Sequence, residues 1–429
     1  MWLVLLETNP IFEDLFRSIR NLNFKILYLT TSLDIFRLVE KQADEVLLIP
    51  NYDQIEILSR LKLLNYFNSI YGVYGLKDCF LPLLYFLNIN LMNKNNFYSL
   101  DLILNTKDKL KMRKRLSNLP YNPHYSIAIK PDLIDLNEYS NGIVLKPILG
   151  YGSIGVEKVD TANDLNEAFN RSLSVLKKIN HSVNSSLLYS KNSEDIIFSE
   201  KALLIEERIL GVEVSVEVIA QNGYLKILGI CGKSEMKAPF FEEVSYQMPA
   251  LLSEIYKTRI QAAAKDILDE LNFQNGIAHM EFMVNDSQTI LLDIGLRIGG
   301  SGLSHNLVYL SSGFNLVDFS IRNLLGLEIS VDKELTVNDI SLLFLFQIEK
   351  GGVVANPITN NSIEDEPEFV TSQIFIKKGD KLTGYPDHSG LPGYALFKIT
   401  NRDTVSYKRA EQLLSKSKSC YKVQYEESF

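Results

Sequence analysis

Two carboxylates late in the chain have the residue types and the spacing to hold a metal ion against phosphate groups. Glu281 and Asp293 each lie in a short apolar run, and the turn-forming residues 285–287 separate the two runs. This pattern predicts two strands joined as a hairpin. Because side chains alternate along a strand, His279 shares a face with Glu281, and Arg297 shares a face with Asp293. In a hairpin these groups converge, and Mg²⁺ is commonly held by one or two carboxylates together with substrate phosphates.

A glycine-rich loop nearer the middle of the chain is a candidate phosphate site. Gly150, Gly152 and Gly155 form a GxGxxG pattern, with apolar, strand-like runs before and after it. A dinucleotide-binding fold needs a helix after this loop and a P-loop needs a lysine after the last glycine, so both are excluded. A plain hairpin turn and a flexible β-loop whose N–H groups cover phosphates remain open. Lys146, on the strand that enters the loop, has the charge to bind the same phosphates; the alternative is an edge lysine.

A third group of charged residues lies between these two motifs. Glu206 and Glu207 end an apolar run, and Glu213 begins the next run seven residues after Glu206. Carboxylates at these positions can accept hydrogen bonds from an adenine amino group and a ribose diol. Acids on surface strands are common, so this pattern alone does not distinguish a nucleotide site from a solvated strand.

The order of these motifs resembles the ATP-grasp superfamily, and within it carboxylate–amine ligases such as the L-amino-acid ligases. The resemblance covers about residues 107–302 and starts at Lys109 in an Asp-Lys pair. It implies that ATP is bound by Lys109, Lys146, Gly150, Gly152, Ser153, Gly155, Glu206, Glu207, Ile209 and Glu213. It implies substrate contacts at Lys233, Glu243, Tyr246, Arg297, Gly299 and Gly300.

The resemblance also implies the chemistry of the site. Glu281 and Asp293 are the implied ligands of Mg²⁺, with Mn²⁺ as an alternative ion, and Arg297 steadies the acyl phosphate and the tetrahedral intermediate. His279 orients a ligand or deprotonates the amine; the alternative is a packed strand histidine. The chain departs from the family at Gly295, where asparagine is usual, which implies that a second metal ion is held weakly or through water. It also carries Tyr246 where histidine is common.

The implied reaction is ATP-dependent and ADP-forming. A carboxylate is activated as an acyl phosphate and then attacked by an amine, and the expected substrates are amino acids that give a dipeptide or an amide. Alternatives are a biotin-carboxylase-type reaction, ligation onto a peptide or protein terminus, and an ATP-binding module without catalysis. The expected partners are small molecules, and a homodimer is expected only from the resemblance.

The elements that must position these residues suggest three parts, in an α/β and α+β fold. Residues 1–105 alternate short apolar runs with helix-like segments, which predicts a small, mostly parallel, Rossmann-like sheet with helices on its faces, the pre-ATP-grasp domain of the resemblance. Residues 106–330 form the predicted ATP-grasp domain, with a lid subdomain at about 120–202. Residues 331–429 form a predicted β-rich closing domain, and the polar, Asn-rich stretch 88–105 marks the first boundary.

Composition sets limits on the function. The net charge of −8 argues against non-specific binding to nucleic acid, which requires a basic surface. The cysteines Cys79, Cys231 and Cys420 are far apart, which favours a reducing compartment without structural zinc. No stretch approaches the roughly 20 apolar residues of a membrane helix, and residues 1–7 predict a strand better than a signal peptide. We therefore expect a cytoplasmic protein that acts without a membrane.

Overall fold

The computed structural model of the chain describes residues 1–8, 13–150, 152–182, 201–234, 244–299, 303–329, 336–348, 350–358, 362–384 and 391–426. The side chains of residues 176–182 lie outside this description. None of the described helices combines the length and the apolar character that crossing a membrane requires.

The N-terminal residues form the parallel α/β unit that the sequence predicts. Its strands pair in the order β3-β2-β1-β4 and all run parallel. The strands are β1 Trp2–Leu6, β2 Lys25–Thr30, β3 Glu45–Leu48 and β4 Ile70–Tyr74. The helices are α1 Glu13–Asn21, α2 Leu33–Val39, α3 Gln54–Lys62 and α4 Leu81–Ile89. Because the strands are parallel, the residues that follow them all lie along one edge of the sheet.

Two helices connect this unit to the rest of the chain. Helix α5 (Leu100–Lys107) begins inside the Asn-rich stretch that the sequence predicts to be a domain boundary. The Ser99 hydroxyl accepts a hydrogen bond from the N–H of Leu102, and this cap starts the helix. Helix α6 (Lys109–Arg115) follows directly, and the Asp108 side chain caps it in the same way.

A small antiparallel sheet carries the glycine loop. Its strand order is β5-β8-β6-β7, and helix α7 (Ala162–Ser182) packs on it. The strands are β5 Tyr125–Ala128, β6 Ile143–Pro147, β7 Glu157–Val159 and β8 Leu203–Glu207. The glycine loop joins β6 to β7, so the prediction that it connects two strands is confirmed.

The largest sheet has eight antiparallel strands in the order β13-β12-β9-β10-β11-β14-β18-β16. Its strands are β9 Val212–Gln221, β10 Tyr224–Lys233, β11 Ser245–Met248, β12 Gly276–Val284, β13 Thr289–Gly295, β14 Ile340–Leu345, β16 Phe369–Ile374 and β18 Gly393–Ile399. Helices α8 Glu254–Glu270, α9 Ser304–Ser312, α10 Leu316–Leu324 and α11 Thr404–Cys420 accompany it. A short third sheet pairs β15 Gly352–Asn356 with β17 Lys381–Leu382 and β19 Gln424–Tyr425.

The large sheet continues past residue 330, because β11 pairs with β14. The predicted domain limits at 105/106 and 330/331 remain predictions. One apolar core reaches from Leu3 and Leu5 of the N-terminal sheet to Leu343 and Leu345 of the large sheet. This shared core holds the edge of the parallel sheet against the large sheet, where the site lies.

Candidate functional site

A cavity of about 1000 Å³ lies where the N-terminal sheet, the glycine loop and the large sheet meet. It brings together most of the residues that the sequence singles out. Those that line it are Lys109, Lys146, Gly150, Gly152, Ser153, Glu206, Glu207, Ile209, Glu213, Lys233, His279, Glu281, Asp293 and Arg297. These residues come from segments almost two hundred positions apart, so the fold and not the local sequence assembles them.

The predicted hairpin is present and has the register that the site requires. Strands β12 and β13 pair so that Glu281 lies directly opposite Asp293, and His279 lies opposite Gly295. Directly opposite residues point to the same face of an antiparallel pair. The two carboxylates therefore share one face of the sheet, and that face lines the cavity.

Each of these two carboxylates is paired with a lysine. The Nζ of Lys109 lies 2.8 Å from Oδ2 of Asp293, and the Nζ of Lys233 lies 2.8 Å from Oε1 of Glu281. Lys233 also lies 2.9 Å from Oε1 of Glu213, so one ammonium bridges a predicted metal ligand and the predicted ribose acceptor. Burial raises the pKa of Glu281, but Lys233 and His279 outweigh it and hold that pKa well below the usual range. Both carboxylates are thus held near a positive charge.

The donor set fits a magnesium ion that takes part of its coordination from phosphates. Two carboxylates on one face are the protein ligands that such an ion commonly uses. Within the described ranges, no three His, Cys, Asp or Glu side chains form a ready-made metal site. A cation that binds here therefore needs oxygen ligands from the nucleotide or from water as well.

His279 lies between two carboxylates and contacts both of them. Its Nδ1 lies 2.6 Å from Oε1 of Glu217, and its Nε2 lies 3.3 Å from Oε1 of Glu281. Burial lowers the pKa of His279, but the two carboxylates outweigh burial and raise it to about 9. The ring is therefore protonated at neutral pH and donates from both nitrogens. This favours the orienting role over the role of a general base.

Glu217 is a site residue that the sequence analysis misses. It is fully buried, and its second carboxylate oxygen has no hydrogen-bond partner among the described residues. The available signal was the alternation of Glu213, Ser215 and Glu217 along one strand, which puts all three on one face.

The protonated ring of His279 predicts a pH-dependent stability. The folded-state pKa of about 9 lies above the ordinary value of 6.5, so this contribution is fully present below about pH 6.5 and is lost as the pH rises through about 9. We expect the urea concentration at the midpoint of unfolding to decrease as the pH is raised from about 7 to about 10. This decrease should be smaller in His279→Gln. The control is His124→Gln, which changes an exposed histidine. An identical pH dependence in wild type and His279→Gln would contradict the protonated ring.

Glu206 lies at the centre of a buried triad. Its Oε1 is 2.7 Å from Nε of Arg113 and its Oε2 is 2.6 Å from Nζ of Lys146. Burial raises the pKa of Glu206, but the two cations outweigh it and lower that pKa to about 2. Arg113 is fully buried and was missed from the sequence, because it belongs to none of the motifs identified there. Both cations also donate to the carbonyl oxygen of Leu292, which ties the small sheet to the hairpin.

The glycine loop faces the cavity with an unusual backbone. Gly152, Ser153 and Gly155 all have positive φ, at 58°, 56° and 77°. A Cβ at Gly155 would lie 2.9 Å from a methyl group of Val175, so this glycine is required for packing and does not itself line the cavity. Gly152 has open space around it and lines the cavity. Consecutive N–H groups in such conformations can face an anion.

Asp78 is a second site residue that the sequence analysis misses. It follows β4 in the short 3₁₀ turn Asp78–Phe80, and its Oδ2 accepts a hydrogen bond of 2.6 Å from Nε of Arg297. A Cβ at Gly295 would lie 3.4 Å from that same oxygen. The carboxylate of Asp78, from the N-terminal unit, therefore lies within ordinary van der Waals contact of the position that a Cβ at 295 would occupy.

The remaining predicted substrate residues do not line the cavity or cannot be described. Tyr246 is buried under Lys233, whose Nζ lies 6.0 Å from the centre of its ring. Gly299 packs on the ring of His279, where a Cβ would overlap Nδ1 at 2.0 Å. Glu243 and Gly300 lie outside the described residues.

The sequence of the chain matches a known protein family and a known ligase. Residues 139–305 match the family model described as the ATP-grasp domain. The chain is 26% identical over 214 residues to the D-alanine–D-alanine ligase of Flavobacterium psychrophilum, which covers 48% of this chain and 57% of that protein. The match therefore spans little more than half of that relative's length.

Solved structures match over almost the whole chain. The L-amino acid ligase of Bacillus licheniformis superposes with a TM-score of 0.84, at 22% identity and 99% coverage of both chains. The biotin carboxylase domain of the 2-oxoglutarate carboxylase of Hydrogenobacter thermophilus superposes with a TM-score of 0.70 at 15% identity, covering 98% of this chain and 90% of that one. That domain was solved as a dimer with MgADP, ADP and bicarbonate. These similarities confirm the predicted fold.

Proposed function

Because residues 139–305 match the ATP-grasp domain, we propose that this chain is an ADP-forming ligase that activates a carboxylate with ATP and joins it to an amine. The observation that carries the proposal is the single cavity in which the Glu281–Asp293 pair, Arg297 and the glycine loop face one another. Amino acids are the proposed substrates, because both a D-alanine–D-alanine ligase and an L-amino acid ligase are among the relatives. A homodimer and a cytoplasmic location remain predictions.

ATP is proposed to lie between the glycine loop and the segment that contains Glu207 and Ile209. Lys109 and Lys146 would then face its phosphates, and Glu213 would accept from the ribose. Glu281 and Asp293 would hold Mg²⁺, or Mn²⁺, which when bound neutralises charge that builds up on the phosphates. The lysines already contact the carboxylates of the site, so nucleotide binding exchanges these contacts for phosphate oxygens.

The carboxylate substrate attacks the terminal phosphate of ATP, and the bond from that phosphorus to the bridging oxygen breaks to release ADP. The product is an acyl phosphate. The neutral amine attacks its carbonyl carbon, the bond from that carbon to the phosphate oxygen breaks, and the departing phosphate takes up the proton that the amine loses. Arg297 is proposed to stabilise the oxyanion of this second step. His279, held by Glu217, would keep Glu281 in place. A loop that covers the cavity would keep water from the acyl phosphate.

The test is to incubate the protein with ATP, Mg²⁺ and a mixture of the twenty standard amino acids, and to measure ADP and phosphate release with mass spectrometry of the products. We expect ADP release that depends on amino acids, with a dipeptide or amide mass. Leaving out amino acids one at a time then identifies the substrates. ADP release that depends on bicarbonate alone would overturn the proposal in favour of a biotin-carboxylase-type reaction. Binding of ATP without any release would overturn it in favour of a non-catalytic module.

A further inference from the structure

Lys107 is a buried lysine of the cavity to which neither the motifs nor the family resemblance gives a role. It is the last residue of α5, two positions before Lys109, and it is 8% exposed. Its side chain contributes to the cavity wall beside Asp78 and Cys79, which follow β4. It therefore lies on the side of the cavity that the N-terminal unit forms.

The ammonium of Lys107 differs from those of the other buried lysines here. Lys109, Lys146 and Lys233 each have a carboxylate oxygen within 2.6 to 2.8 Å. In the part of the chain that the structure describes, Lys107 makes no ion pair and its ammonium makes no hydrogen bond; its nearest opposite charge acts only through space, from Asp78. Burial lowers the pKa of Lys107, and Asp78 opposes that effect.

The carboxylates around Lys107 are bonded to other cations. Asp78 and Asp293 act on Lys107 only through space, and Glu281, which acts on Arg297, is bonded to Lys233. Asp78 is bonded to Arg297 and Asp293 is bonded to Lys109, which leaves the charge of Lys107 without a contact partner. A buried ammonium without a partner is costly, because it gives up hydration and gains no hydrogen bond in return. One monoanion bound beside Lys107 would give its ammonium a contact partner.

We propose that Lys107 binds the carboxylate group of the substrate that this site activates. This inference rests on the proposed ligase function. A carboxylate is favoured over a nucleotide phosphate because Lys107 faces Asp78 and Cys79 of the N-terminal unit, whereas most of the predicted nucleotide residues belong to the glycine loop and the strands β8 and β9. The carboxylate would lie between Lys107 and Arg297, and Asp78 would hold Arg297 in position.

The test compares Lys107→Met with wild type, using as probes the amino acids that support ADP release in wild type. We expect KM for the activated amino acid to rise by at least about tenfold while KM for ATP changes little, because a charge-assisted contact is lost only to the carboxylate. We also expect the midpoint of urea unfolding to stay equal or rise, because methionine fills the same volume without a buried charge. Lys107→Arg should keep part of the affinity.

The control is Lys114→Met, an exposed lysine on the neighbouring helix α6. A rise in KM for ATP instead would assign Lys107 to the nucleotide and overturn the proposal. Unchanged KM values, or a large loss of stability in Lys107→Met, would also overturn it. Calorimetric titration of the ADP-loaded protein with acetate makes the test independent of turnover, because Lys107→Met should weaken acetate binding. If wild type releases no ADP but Lys107→Met binds acetate more weakly than wild type, the ligase proposal is refuted and the assignment of Lys107 to a carboxylate stands.

Discussion

Replacing Glu281 by glutamine is expected to abolish amino-acid-dependent ADP formation and to leave the protein folded. The carboxylate is one of the two that face each other across the β12–β13 pair, and an amide is a far weaker ligand for Mg²⁺ than a carboxylate. We expect a fall in kcat on the order of 10² to 10³-fold, the size seen when one charge-stabilising group is removed from an active site.

The fold should survive because the neighbours of Glu281 keep other partners. Lys233 still has Glu213 at 2.9 Å, and His279 still has Glu217 at 2.6 Å. Circular dichroism should therefore match wild type and unfolding should stay cooperative, with a lower urea midpoint because Lys233 and His279 lose one charged partner. Titration with Mn²⁺ in the presence of ADP should show weaker metal binding. Glu411→Gln, on an exposed face of helix α11, is the matched control. Full ATP turnover in Glu281→Gln would rule out Glu281 as a metal ligand.

The sequence predicts those parts of the fold that depend on the pattern of neighbouring residues. The alternation of apolar runs and helical segments predicted β1 to β4, and the runs around Glu281 and Asp293 predicted a hairpin with the two side chains on one face. The pairing of Ser245–Met248 with Ile340–Leu345 was not predictable, because nothing local specifies which distant strand a short apolar segment will join. For the same reason no local pattern indicates that one sheet continues past residue 330.

The same distinction applies to the site. Residues within motifs, such as Lys146 and Arg297, were identified by type and spacing and do line the cavity. Asp78 was missed because it lies far in sequence from every motif, and Lys107 was missed because it matches no motif position although it lies two residues before Lys109. Only the fold shows that the carboxylate of Asp78 lies beside Gly295, which is more than two hundred positions away in sequence.

Replacing Glu206 by alanine is expected to give the largest loss of stability among the changes considered. The side chain is almost fully buried between Arg113 and Lys146, at 2.7 Å and 2.6 Å. Removing it leaves two buried cations without their carboxylate, and breaking a buried ion pair in this way typically costs about 3–5 kcal/mol. The triad also joins helix α6 to the small sheet, so the loss should spread to the attachment of the glycine loop.

The measurement is the free energy of unfolding in urea at neutral pH, with the affinity for ADP measured in parallel. Glu138→Ala, an exposed acid in the same small sheet region, is the control and should change stability little. A variant in which Glu206→Leu is combined with Arg113→Met should recover part of the loss, since it removes one of the two orphaned charges. If Glu206→Ala keeps wild-type stability and loses only nucleotide affinity, Glu206 acts as a contact to adenine and not as the centre of the triad. If both fall together, the triad sets the geometry on which nucleotide binding depends.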